Sequence, residues 1–98
     1  MSDAEYHPMS HEDEDRLAAE LRALLGELRS HVREDHVEQI EEYIDQEVVP
    51  ALNLLWWSVS LRGRSITIEQ FTKLNEIGMQ IDPRVAENSR ESYRIEVE

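Results

Sequence analysis

The stretch Val48–Leu61 carries no charged side chain and, read as a helix, is apolar on two sides. At about 100° per residue, Val48, Leu52, Leu55, Trp56 and Val59 form one stripe, while Leu54, Trp57 and Leu61 form a second. A helix of this kind needs neighbours against both stripes, which makes it the centre of a helical bundle. Burial of both stripes is the expectation. The alternative is that Trp57 stays partly exposed as a contact anchor or as the seam of a dimer. With 14 residues, Pro50 and Asn53, the stretch is too short for a bilayer span, which takes about 20 apolar residues. No membrane partner is therefore expected.

What surrounds this helix follows from local signals. Leu17, Leu21, Leu24, Leu28 and Val32, with Leu25 beside them, recur at spacings of three and four and predict an amphipathic first helix starting near residues 11 to 13. Ser10, followed by Asp13, resembles its N-cap. Gly26 lies inside this helix at a cost of about 1 kcal/mol relative to Ala, and Arg16, Glu20, Glu27 and Arg33 form its solvated face. Val37, Ile40 and Ile44 predict a second helix over 35–45, with Tyr43 on its flank. Pro50 is tolerated only in a first turn, so the chain must break near Gln46 and begin the central helix at Glu47. Gly63 is a suitable terminator for it. Thr67 and Gln70 have capping-box spacing ahead of a fourth helix that carries Phe71, Leu74 and Ile77. Asp82-Pro83 reads as N-cap then first position of a short fifth helix through about Ser89. The end of the chain, Tyr93 to Glu98, is compatible with a short strand or a frayed tail. The fold class expected is all-α: a single-domain bundle of four to five helices over 13–90, a disordered acidic tail over 1–12, and a tail or short strand over 91–98. A chain of 98 residues has room for one core only.

The net charge of −12 is unevenly spread. Residues 1–15 contain six acids and no Lys or Arg, and residues 34–61 contain seven acids and no Lys or Arg. The other segments nearly balance. The first block lacks apolar periodicity and reads as a solvated tail. An acidic surface repels polyanions, so nucleic acid is not an expected ligand and a basic partner is. The chain shows neither a secretory signal nor a transit peptide, and cytoplasmic location is expected.

Chemistry-bearing motifs are few. The chain has no cysteine, which removes thiol catalysis and zinc-thiolate sites, and its three glycines, Gly26, Gly63 and Gly78, are too far apart for a phosphate loop. His7 and His11 fall near the tail, and His31 and His36 near a helix junction, without the spacing of a metal site or a nucleophile–histidine pair. No catalytic residue, cofactor or metal is expected, and the histidines are read as structural or solvent-facing.

One feature asks for a reason. Glu34, Glu38, Glu41, Glu42 and Asp45 fall within about a 100° sector of the second helix. Their mutual repulsion costs about 0.2–0.5 kcal/mol for each close pair. This face is either a solvated surface, neutralised in the fold by Arg22, Arg29 or Arg33, or a docking surface for a cationic partner.

The run Glu42-Tyr43-Ile44-Asp45, followed by Glu47, Ala51-Leu52 with Leu55, Ile66-Thr67 with Glu69, Ile77-Gly78 and Ile81-Asp82-Pro83, resembles the small α-helical immunity proteins of bacterial polymorphic and contact-dependent toxin systems, in particular the MafI-like group. The resemblance spans about residues 36–89. It implies a protein that binds one cognate toxin domain, often a nuclease, and neutralises it without catalysis of its own. Taken with the charge pattern, it points to a basic nuclease and to Glu38, Glu41, Glu42, Asp45 and Glu47 as the interface, with Tyr43 and Trp57 as aromatic anchors beside them. The expected state is a monomer or weak homodimer. A different class remains open: a small homodimeric regulatory or assembly subunit that uses the second stripe of the central helix as its seam.

Overall fold

A computed structural model of the protein describes residues 11–98. Five α-helices follow one another: α1 (His11–Glu27), α2 (Glu34–Gln46), α3 (Val48–Arg62), α4 (Ile68–Ile81) and α5 (Pro83–Ser92). The expected acidic tail, its His7 and the Ser10 cap lie outside the described residues, apart from His11 and Glu12, which form the start of α1.

The first helix ends earlier than its leucine pattern. α1 stops at Glu27, and a 3-10 turn over Arg29–His31 follows, with the His31 amide donating to the Leu28 carbonyl at 2.7 Å. Val32 is extended. Leu28 and Val32 are nevertheless buried with Leu17, Leu21, Leu24 and Leu25. The tighter turn keeps both on the core side while reversing the chain into α2.

α2 and α3 are separated by Glu47 alone, an extended corner residue, and pack side by side along their length. Their alignment is antiparallel, because His36 in the first turn of α2 meets Ser58 near the end of α3. Pro50 sits in the first turn of α3, and Gly63 ends it with φ of 67°, a left-handed conformation that glycine adopts without a Cβ clash. Across Ser65 and the buried Ile66 the chain reaches α4. Here Thr67 Oγ1 accepts the Gln70 amide at 3.1 Å and Gln70 Oε1 accepts the Thr67 amide at 3.0 Å, so the capping box is formed in both directions. Asp82 caps α5 by accepting the Arg84 amide, with Pro83 at the first helical position. α5 extends to Ser92, three residues past the expected end.

The C-terminal segment takes the strand-like alternative in its smallest form. Ile66 forms a parallel bridge with Val97: the Ile66 amide donates to the Glu96 carbonyl and the Glu98 amide to the Ile66 carbonyl, both at 3.0 Å. Tyr93 and Ile95 pack against the core on the way.

One contiguous core joins α1 to α4. Val48, Leu52, Leu55, Trp56 and Val59, the first stripe of α3, are all buried in it, and Trp56 meets Phe71 of α4 edge-on with ring centroids 5.7 Å apart. The second stripe departs from expectation. Leu54 is half-buried, Trp57 is 43% exposed and Leu61 is 52% exposed. α1, α2 and α4 all pack on α3, and the His36 ring of α2 stacks against Trp57, yet Trp57 and Leu61 keep substantial exposure. No helix among the described residues is long and apolar enough to cross a membrane.

Candidate functional site

α2 is the element that positions the candidate residues. Val37, Ile40 and Ile44 turn inward, and the 3.6-residue repeat then sends Glu38, Glu41, Glu42 and Asp45 outward, where all four are exposed. Glu47 is exposed at the corner. Part of the charge is answered from within the fold. Arg22 of α1 reaches Asp45 Oδ1 at 2.5 Å. Arg33 pairs with Asp35 at 3.1 Å, beside the five-carboxylate sector and outside it, and Arg29 makes no ion pair among the described residues. Slight burial pushes the Asp35 carboxyl up, but the charge and hydrogen bond of Arg33 outweigh it and hold the group below the usual carboxylate range. Glu34, Glu38, Glu41, Glu42 and Glu47 have no side-chain hydrogen bond or ion pair among the described residues.

The two aromatic residues stand elsewhere. His36 and Asp45 are nine residues apart, or about 900° of helix, and therefore point to opposite sides of α2. The contacts agree: Asp45 faces α1 through Arg22, and His36 faces α3, its ring stacked on Trp57 at 5.1 Å and 27°. Tyr43, seven residues after His36, returns to within about 20° of the His36 side. It is 40% exposed. The structure thus splits the expected interface in two. A carboxylate flank lies toward α1 and an aromatic flank toward α3, with Gln39 and Gln46 on the ridge between them. The sequence contained the signal for this separation, since a wheel that places Tyr43 as well as the acids puts them on different sides.

The aromatic flank is held by a small polar network. Ser58, fully buried on α3, accepts the Arg33 amide at 3.2 Å and lies 2.8 Å from His36 Nδ1. The hydroxyl has a second lone pair and its own proton, so it bonds Nδ1 as acceptor or as donor according to the imidazole tautomer. His36 is thereby fixed against rotation under the indole. Only 7% of it is exposed. His31 is half-buried and meets the Ser65 carbonyl through Nε2 at 3.1 Å, joining the 3-10 turn to the α3–α4 connection. Each histidine thus ties two elements of the fold together. The Ser58 and His36 pairing was not legible beforehand, because nothing in the sequence links positions 22 apart.

Among the described residues no group of three or more His, Asp or Glu is arranged to hold a metal ion. What the geometry offers is binding area: fixed carboxylates on one flank of α2, and Trp57, Leu61 and Tyr43 on and beside the other. Comparison of the chain with family models, curated proteins and solved structures found no match.

Proposed function

We propose that this protein is an immunity protein, a cytoplasmic stoichiometric inhibitor that binds a cognate bacterial toxin domain, most simply a basic nuclease, and has no catalysis of its own. The observation that carries the proposal is the set Glu38, Glu41, Glu42 and Glu47, four exposed carboxylates on one short element and its corner with no basic side chain among the described residues to answer them. Helical backbone holds the first three at fixed spacing. A nuclease offers cations where it receives phosphates, and a fixed carboxylate row occupies that surface, excludes substrate and accelerates encounter by electrostatic steering. Asp45, bridged to Arg22, contributes less charge than its neighbours. Trp57 and Tyr43 take part if the partner straddles the helix. A standard interface covers about 800 Å² on each partner, enough to reach both sides of a helix roughly 10–12 Å wide.

The test is co-expression with the protein encoded immediately beside this one, scoring growth and co-purification. The wild-type chain is expected to rescue growth and to co-purify. The triple reversal E38K/E41K/E42K is expected to fold and to lose both. Protection and co-purification by the triple reversal at wild-type levels would show that the carboxylate row is not the interface.

A second reading has its own observation. Trp57 and Leu61 are adjacent on α3, four residues apart, and both are exposed. A homodimeric regulator or assembly subunit would use them as its seam. Sedimentation at low micromolar concentration discriminates: a dimer that persists in high salt and is lost in W57A/L61A favours that reading, because a charge-driven contact weakens with salt and an apolar one does not.

A further inference from the structure

Seven of the ten basic side chains are engaged inside the fold: Arg16, Arg22, Arg33, Lys73 and Arg84 by carboxylates, Arg64 by the Ser30 carbonyl and Arg90 by the Asn75 amide. Arg29, Arg62 and Arg94 make no side-chain hydrogen bond or ion pair among the described residues. Two of these three line one open concavity of about 500 Å³, with Ser30, Val32, Glu34 and Val37 as the rest of its wall. They come from different elements, Arg29 from the 3-10 turn and Arg62 from the last turn of α3.

In a chain with 22 carboxylates and 10 cations, two unanswered guanidinium groups at one hollow are a local reversal of the molecule's charge. Like charges gathered at one place repel unless an anion lies between them. A guanidinium presents a planar fork that receives two oxygens in parallel. One fork satisfies a carboxylate, which has a single edge. Two forks from two elements suit a tetrahedral anion with several edges. The hollow is also larger than a bare phosphate, with the exposed Arg29, Ser30 and Arg62 at its rim and the buried Val32 and Val37 at its floor. We propose that Arg29 and Arg62 receive the phosphate group of a small phosphorylated ligand. Glu34 opposes the anion and limits its affinity. This site is independent of the carboxylate row and of the toxin-binding reading.

The experiment uses the full chain and inorganic phosphate, with acetate as the competing chemistry, at constant ionic strength because a protein of −12 repels anions in a salt-dependent way. Arginine Nε–Hε and backbone amide resonances are followed through each titration. Phosphate is expected to give saturable shifts at Arg29 and Arg62 and in the amides of 29–37. R29A and R62A are each expected to weaken binding roughly tenfold, as the loss of a charge-assisted hydrogen bond does, while E34Q strengthens it several-fold. All three positions lie at the surface, and far-UV circular dichroism checks that the variants keep their helices. Acetate matching phosphate overturns the assignment to a tetrahedral anion. Absence of saturable shifts, or shifts indifferent to R29A and R62A, overturns the site.

Discussion

If the acidic face of α2 is kept for a partner, then it is kept against the stability of its own helix, and that cost can be measured without the partner in hand. Glu38 is the informative position. It lies four residues after Glu34, three before Glu41 and four before Glu42, and none of the four side chains has a cationic partner among the described residues. Each such like-charge pair destabilises by about 0.2–0.5 kcal/mol, so Glu38→Gln, which removes three of them, should stabilise by about 0.6–1.5 kcal/mol at low salt. Glu38→Lys should do more, because it converts the three repulsions into attractions of similar size. Its best new pair is with Glu34, which stands N-terminal to the lysine at the favoured spacing, for a total of about 1–2.5 kcal/mol. At roughly 4–8 °C for each kcal/mol in a domain of this size, E38K should melt on the order of 4–20 °C above wild type. The assay is thermal and urea unfolding at low ionic strength and again in 1 M salt. There the Debye length falls to about 3 Å and most of the gain should vanish. An E38K protein no more stable than wild type at low salt, or a gain indifferent to salt, would refute the claim that these carboxylates repel one another unanswered.

Other perturbations test the packing and the caps. Gly78→Ala places a Cβ 3.1 Å from Ala86 Cα and 3.2 Å from its Cβ, where no flexible side chain can swing away, whereas Gly26→Ala meets nothing within 4 Å. Overpacking costs about 1–3 kcal/mol and the helical gain over glycine is about 1 kcal/mol. Gly78→Ala should therefore lower the urea midpoint and Gly26→Ala should raise it, and shifts of the same sign would contradict the close approach of α4 and α5. The Asp82 carboxyl is held below its usual range, chiefly by the hydrogen bond from the Arg84 side chain and then by that from the Arg84 amide. A depressed carboxyl stabilises above its unfolded pKa and loses that contribution as pH falls through its folded value. Asp82→Asn, which retains an acceptor for the cap, should accordingly flatten the decline in stability below about pH 4, the unfolded range of Asp, and an unchanged acid profile would argue against the pairing. Lys73 runs the other way. Its ammonium is held above the usual range by the hydrogen bond and charge of Glu20, so its contribution is present at neutral pH and should be lost only as pH rises through the folded value. Alkaline unfolding of Lys73→Met with the wild-type slope would remove the pair from the account.

The parts of this fold that were legible in the sequence are those decided within a few residues. Thr67 with Gln70, Asp82 with Pro83, Pro50 after the break at Gln46, and Gly63 at the end of α3 each satisfy or release backbone groups locally, and each stands where the pattern put it. The end of α1 was not legible, because the leucine spacing runs on to Val32 without a local stop. What ends the helix there is tertiary: the Arg33 amide is claimed by Ser58, 25 residues away, and His31 is tied to Ser65. The exposure of the second α3 stripe was hidden for a related reason. A sequence states that a helix has two apolar sides, but whether five helices are enough to cover both depends on how they pack, and here Trp57 and Leu61 on the second side stay exposed.

That shortage of cover bears on function. A partly exposed Trp57 is not loosely held, since His36 stacks beneath it and Ser58 locks His36 in turn. An anchor already fixed in place loses little side-chain entropy when it is buried by a partner, which is the property that lets a tryptophan contribute more to binding than its area suggests. The same network is rooted at the start of α2, through the Arg33 amide and His36, so Trp57 on α3 is tied to the helix that carries the carboxylate row. On the proposed reading, with a partner that straddles α2, Trp57→Ala should change stability modestly, because the indole is already half in water, and should weaken partner binding far more. His36→Ala, which leaves the indole present but unsupported, should produce an intermediate loss that appears in the dissociation rate. The carboxylate reversals should appear mainly in the association rate and its salt dependence, because exposed charges steer encounter. Binding kinetics in which W57A and E38K/E41K/E42K slow association alike, and leave dissociation untouched, would mean that α2 presents one electrostatic surface and no anchor.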